Sequence, residues 1–385
     1  MSFLIANFVD NDASGASVLA KQEVLQAHGY ETRIFAQKNR TAYPNVIVVN
    51  DPVASLPGDA FFMSSELVFL EYGWHTELLD ALALAPRRSN KILYFHGITP
   101  RDFVPEELKA GVDKSYSELV KANAADVVLH ATDYSKRLIV GAGVTRPQFV
   151  RLPLPLDLPA VKRAARSGAT ARFLNVSRMA PSKGHVDIVE ALSRLTEKGF
   201  EDWSLRFVFN AKTAMRAYLD DLTALIATRG LAGKVELTGT VSNRAKLARL
   251  YAQADATLIA SMHETYCFPL LESLACGTPV IAYASGAIPE VAAGRANIVP
   301  QGDVVALAAA IERVVTARPS FVADEVTPRS RRSFLASGKA RGLAQSREEF
   351  EGALLRLVER LRTRHDFVSR AKRALRRALQ RLGGA

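Results

Sequence analysis

Two carboxylates eight positions apart, Glu264 and Glu272, stand in the run A-S-M-H-E-T-Y-C-F-P-L-L-E-S-L-A-C-G-T-P that spans positions 260–279. The first follows an apolar segment, 256–260, that reads as a buried strand. The second falls where Leu270, Leu271, Leu274 and Ala275 recur at helical spacing, with Pro269 suited to an opening turn and Gly277 and Pro279 to a stop. Glu264 is therefore expected in a loop at a strand's carboxyl end, and Glu272 in the first turn of the helix that follows. In an open α/β sheet, ligands bind in that crevice. A helix start offers unpaired N–H groups and partial positive charge, and carboxylates accept hydrogen bonds from vicinal hydroxyls. The pair thus suits a ligand carrying both phosphates and hydroxyls. The alternative is an ordinary loop carboxylate and a glutamate placed by the helix dipole.

Two cations flank a second turn of the same kind. Arg178 and Lys183 lie in S-R-M-A-P-S-K-G, between a strand expected at 171–176 and a helix from about His185 to Leu195. Arg binds phosphate through a fork and Lys as a point charge, so with helix N–H groups they form a diphosphate site. Read without a ligand, they are two solvated surface cations. His96 follows a strand at 91–95 directly and so stands at the ligand-binding edge of a parallel sheet; a satisfied structural histidine is the competing reading. Near the amino terminus, a small-residue loop at 10–17 with Gly15 separates a strand at 3–9 from a helix at 18–27, an arrangement that lets a ligand approach backbone. Tyr72, Trp74 and His75 form an aromatic patch that either faces a cleft or packs a domain.

These groups need a scaffold. Strand-like and helix-like segments alternate along the chain, which predicts a parallel sheet in each half. The 385 residues fit two domains, and the proline-rich run P-L-P-L-D-L-P at 153–159 marks the boundary. The division expected is 1–158, 159–342 and a helical tail over 343–385. Cys267 and Cys276 give no disulfide framework and suit small apolar core positions. No D-x-D clamp stands at a strand end, so no metal is expected. The apolar start, M-S-F-L-I-A-N-F-V, reads as a first strand rather than a signal peptide. The net charge of +11 favours anionic partners. Val368, Ala371, Leu375, Ala378, Leu379 and Leu382 recur at helical spacing among Arg370, Lys372, Arg373, Arg376, Arg377 and Arg381. Such a helix at 365–382 fits an anionic membrane surface, packing on the first domain, or a solvated face. It lacks the aromatic interleaving of a nucleic-acid arm, so no nucleic acid is expected.

The joint pattern H-E-T-Y-C-F-P-L-L-E-S-L-A-C-G-T-P-V-I-A, continued by S-G-A-I-P-E-V at 285–291, resembles the signature of the family 4 retaining glycosyltransferases. The resemblance implies the GT-B architecture: two Rossmann-like, doubly wound parallel-sheet domains facing across a cleft. It implies a metal-independent, cofactor-free hexosyl transfer with retention, from a UDP- or GDP-linked sugar to a glycan or lipid-linked acceptor. The context it implies is bacterial surface polysaccharide or lipopolysaccharide assembly, in the cytoplasm or on the inner face of its membrane. In it, Arg178 and Lys183 grip the diphosphate, Glu264 holds donor sugar hydroxyls and Glu272 the ribose diol. His96, in H-G-I-T-P, reaches the donor sugar. The helix start at Cys267, Phe268, Pro269 and Leu270 supplies N–H groups, the 239–243 loop with Val241 borders the nucleoside, and Gly15 lies beside the phosphates. Three departures stand out: the usually glycine-rich first loop has only Gly15, Ser177 replaces a usual glycine before the arginine, and the turn after Phe209 lacks glycines. A nucleotide-sugar hydrolase, a sucrose- or glycogen-synthesising type of enzyme, and a noncatalytic sugar- or nucleic-acid-binding protein are the rival expectations.

Overall fold

The structure is a computed structural model that describes residues 1–9, 12–156, 158–161, 170–316 and 346–363. The expectations for Asp10 and Asn11, for the linker at 162–169, for the polar stretch at 321–342 and for the basic helix at 365–382 lie outside these residues.

Two wholly parallel sheets carry the chain. The first contains seven strands in the order β3-β2-β1-β4-β5-β6-β7, where β1 is Ser2–Val9, β2 Arg33–Arg40, β3 Val46–Val48, β4 Leu67–Tyr72, β5 Asn90–Phe95, β6 Val127–His130 and β7 Gln148–Arg151. The second contains six in the order β10-β9-β8-β11-β12-β13, where β8 is Ala171–Val176, β9 Trp203–Val208, β10 Val235–Gly239, β11 Ala256–Ile259, β12 Val280–Tyr283 and β13 Asn297–Val299. Strands such as β4, β6, β11 and β12 are buried throughout. That is why they read as continuous apolar runs rather than alternating ones: helices cover both faces of a parallel sheet. In each sheet the order reverses beside the first strand, at β1/β4 and at β8/β11. Those switch points open a crevice at the strands' carboxyl ends, and the two crevices face each other.

Two expectations about helices change. The helix after β1 spans Ala13–Ala27, beginning five residues earlier than its apolar pattern, because Asp12 caps it by accepting from Ser14 N. Gly15 thus lies in its first turn, not in a loop. A Cβ there would stand 2.9 Å from Val9 O, so only glycine lets the helix approach the end of β1. Residues 347–363 are helical. Phe350, Leu354, Leu357, Val358 and Leu361 join the core formed by Phe3, Ile5, Phe69 and Tyr94 of the first sheet. Arg347–Glu23 and Arg362–Glu66 ion pairs flank that contact.

The aromatic patch packs the first domain. The Tyr72 hydroxyl donates to Ser115 O at 2.8 Å, and His75 Nδ1 meets Glu118 at 2.6 Å. Trp74 lies against Gly111, where a Cβ would come within 2.5 Å of its ring. Among the described residues, no helix is long and apolar enough to cross a membrane.

Candidate active site between the domains

Where the two sheet edges meet, one cavity of about 920 Å³ opens between the domains. Gly15 and His96 line it from the first domain. Arg178, Lys183, Val241, Glu264, Cys267, Phe268, Pro269 and Glu272 line it from the second. Leu270 does not: it is fully buried against Leu271, Ile288 and Val291, because its position on the helix Phe268–Ala275 faces β11 and β12. Residues absent from the sequence reading also line the cavity, among them Tyr43, Arg244 and Phe350.

The local chain explains these placements. β11 ends at Ile259, and the following loop carries Glu264. Gly286, at φ +53°, holds that loop down: its own Cβ would stand 2.2 Å from Glu264 O, an atom that also accepts from Ala287 N at 2.8 Å. Gly286→Ala combines a left-handed backbone with a backbone clash. The expected loss is about 2 kcal/mol or more, read as a lower urea midpoint at unchanged slope, with Glu264 displaced from the cavity. Cys267 starts the next helix in the left-handed region, at φ +68°, and Phe268 and Pro269 occupy its opening positions. Glu272 therefore falls in the second turn of this helix rather than the first.

The charges are coupled. Lys183 Nζ donates to Glu264 Oε1 at 2.6 Å, with both side chains 13% exposed. Burial raises the Glu264 carboxyl, but the Lys183 ammonium and hydrogen bonds from Lys183 and Ser261 outweigh it and hold it below its usual range. Glu272 is buried and accepts from Arg244 Nη2 and from the Tyr251 hydroxyl, each at 2.8 Å. Burial there wins over Arg244, and the carboxyl is pushed up. Arg178 is exposed at the cavity wall. The turn that carries it is tied down by Ser177, whose hydroxyl donates to Asn175 Oδ1 at 2.8 Å and meets His185 Nε2 at 2.9 Å. Ser177 replaces conformational freedom with side-chain anchoring to the following helix. Gly184, at φ +65°, closes the turn against Ala260, whose carbonyl leaves no room for a Cβ.

Two neutral histidines brace this half of the site. Burial lowers His185 to about 3 and His263 to about 4. Each binds a proton in the unfolded chain below about pH 6.5 but not in the folded one. The unfolded state therefore holds more protons, and stability falls as pH drops from about 6.5, through about 4 for His263 and about 3 for His185. The slope is on the order of 1.4 kcal/mol per pH unit for each group. A urea midpoint measured from pH 7 to pH 4 checks this; His185→Asn flattens the dependence.

The domains are held together beside the cavity. Thr265 Oγ1 donates to His96 O at 2.5 Å, and Thr132 Oγ1 donates to Thr265 O at 2.7 Å. Glu290 accepts from the backbone of Asp133 and Tyr134, at 2.9 and 3.1 Å, and from Arg151 at 2.7 Å. Glu290 stands in the quoted S-G-A-I-P-E-V run; its partners are over a hundred residues away, so no local signal could have assigned them.

Residues 162–324 match the family model described as glycosyl transferases group 1. Over these residues, fewer than half of the chain, the sequence is similar to that family. A GDP-mannose-dependent alpha-(1-6)-phosphatidylinositol dimannoside mannosyltransferase of Mycobacterium tuberculosis is 26% identical over 229 residues, which is 56% of this chain and 57% of that one. The chain thus spans little more than half the length of this curated relative. Among solved structures, sucrose-phosphate synthase from Thermosynechococcus elongatus superposes with a TM-score of 0.72 at 19% identity, covering 94% of this chain and 98% of that one. HepE of Anabaena, solved with UDP and glucose, superposes at 0.66 and 18% identity, covering 94% and 100%. These likenesses show the fold over nearly the whole chain: the two-domain GT-B architecture.

Proposed function

We propose that this protein is a glycosyl transferase that moves a sugar, with retention and without a metal, from a UDP- or GDP-linked donor to a hydroxyl acceptor. The observation that carries the reading is the interdomain cavity that Arg178, Lys183, Glu264, Glu272 and His96 line together. Breaking the anomeric bond moves an electron pair onto the departing diphosphate. Lys183, Arg178 and the N–H groups at the start of the helix Phe268–Ala275 oppose that charge with groups already in place. The Glu264 carboxylate is paired with Lys183. A bound diphosphate competes for the ammonium and turns Glu264 toward sugar hydroxyls. Glu272 takes the ribose diol after Arg244 yields. The acceptor attacks from the face the diphosphate leaves, and its proton passes to the leaving phosphate oxygen. No side chain is assigned as a covalent nucleophile.

The same cavity extends along the helix Ala13–Ala27 to Phe8, Leu19, Val24, Tyr43 and Phe350. This apolar arm supports an acceptor with an apolar portion, such as a lipid-linked glycan, in the assembly of a bacterial surface polysaccharide or lipopolysaccharide. The phosphatidylinositol dimannoside in the relative's name is of that chemical kind. The test is product analysis with a nucleotide-sugar panel, with and without acceptor. Transfer to an acceptor hydroxyl supports the reading, whereas free sugar released at the same rate without acceptor identifies a hydrolase.

The basic segment at 365–382 supplies a surface for anionic lipid. Deleting residues 365–385 is expected to abolish sedimentation with anionic liposomes. The cut belongs there and not at Arg347, because residues 350–361 contribute core side chains. Unchanged sedimentation contradicts the membrane contact.

A further inference from the structure

Behind His96 lies a charged cluster that the transfer mechanism does not use. Ser17 and Lys21 come from the helix Ala13–Ala27, Glu71 from β4, and His96 from the residue after β5, the strand paired beside β4. Lys21 Nζ donates to Glu71 Oε1 at 2.8 Å and also to Ser17 Oγ. Ser17 Oγ donates to Glu71 Oε2 at 2.8 Å, and His96 Nε2 lies 2.6 Å from the same oxygen. The Lys21 ammonium rests 4.3 Å from the centre of the Tyr94 ring. Lys21 and Glu71 side chains are 0% and 1% exposed, and neither lines the cavity; of this cluster only His96 does. A buried ion pair returns little net stability compared with apolar residues of the same volume, so packing alone gives no reason for this one.

We propose that Glu71, balanced by Lys21 and steadied by Ser17, is a positioning residue that fixes His96 as its Nε2–H tautomer, so that Nδ1 meets bound substrate as a hydrogen-bond acceptor. A carboxylate only accepts, so the hydrogen between Nε2 and Oε2 belongs to the ring. Burial pushes the Glu71 carboxyl up, but Lys21 and His96 override it and bring it down to about 2, which keeps it ionised. An ionised carboxylate alone favours imidazolium, in which both nitrogens donate. Lys21 cancels that charge. The other polar groups around the ring are Tyr94 at its side, Thr265 on its carbonyl, and the Lys183–Glu264 pair in the shared cavity. A sugar or acceptor hydroxyl then donates to Nδ1, which orients it and enriches its oxygen. This last step rests on the transfer reading; the tautomer does not.

The experiment uses the full chain labelled with 15N-histidine, with His96 assigned by its loss in His96→Asn. Long-range proton–nitrogen spectra at pH 7.5 are expected to show the Nε2–H tautomer in the wild type. The double variant Lys21→Met with Glu71→Leu replaces the pair with apolar volume and is expected to keep or raise Tm. Its His96 signals average between tautomers, and kcat falls at least about tenfold while donor KM stays within about twofold. Three results overturn the proposal: an Nδ1–H or averaged wild-type ring, an unchanged tautomer in the double variant, or a kcat that falls only with the folded fraction. If no donor is turned over by the wild type, the spectra still decide the tautomer, and only the transfer reading fails.

Discussion

Lys183→Ala is expected to lower kcat by about a thousandfold, the upper range for removing one charge-stabilising donor from a preorganised site. The effect is on kcat because charge on the departing diphosphate is greatest in the transition state, so an interaction that strengthens there is lost from the barrier and not from ground-state binding. A structural consequence must be separated from this one. Lys183 is the cation paired with Glu264 at 2.6 Å, and the pair is only 13% exposed. Removing the ammonium leaves a carboxylate poorly solvated, which costs about 1–3 kcal/mol after allowing for the open cavity. Lys183→Ala therefore also lowers Tm. Adding Glu264→Gln removes the stranded charge and is expected to restore Tm without restoring kcat. If kcat recovers together with Tm, Lys183 serves the fold and not the leaving group. Steady-state kinetics and thermal melts on the two variants decide between them.

Glu272→Ala is expected to weaken donor binding by about 10- to 100-fold, the worth of a hydrogen bond to a charged group, with a smaller effect on kcat. Both oxygens of Glu272 are already satisfied, by Arg244 and by Tyr251. The Tyr251 contact is buried, whereas Arg244 is 42% exposed and can swing out. On the proposed reading, a ribose diol replaces the outer partner and keeps the inner one. Calorimetric titration of UDP and GDP against wild type and variant measures the change; equal dissociation constants remove Glu272 from the donor site.

Much of this scaffold was legible because parallel strands buried on both faces leave continuous apolar runs, and helix stops leave glycine and proline. The position of Glu264 after β11 followed from such a run, as did that of His96 after β5. Other features were hidden for identifiable reasons. The early start at Ala13 came from the Asp12 cap, a signal outweighed by the weak apolar pattern of the first turn. Leu270 belongs to the core and not the cavity because the helix turns by about 100° per residue, so neighbours in a motif face different ways. Lys21, Glu71 and His96 are separated by 50 and 25 residues. Only the pairing of β4 with β5 under the helix Ala13–Ala27 brings them together, and no local spacing encodes that. The interdomain contacts of Thr265 and Glu290 have the same origin.

A thermal-shift panel of nucleotide-sugars tests the central claim most directly: that one interdomain cavity binds a nucleotide diphosphate sugar through cations and paired acids. At about 100 times its dissociation constant, the true donor stabilises the fold by about 2.7 kcal/mol, a rise of a few degrees in Tm. Such a rise is expected for at least one UDP- or GDP-linked sugar, falling to about half or less at the same concentration in Glu272→Ala. No shift with any nucleotide-sugar, or an equal shift in the variant, contradicts it.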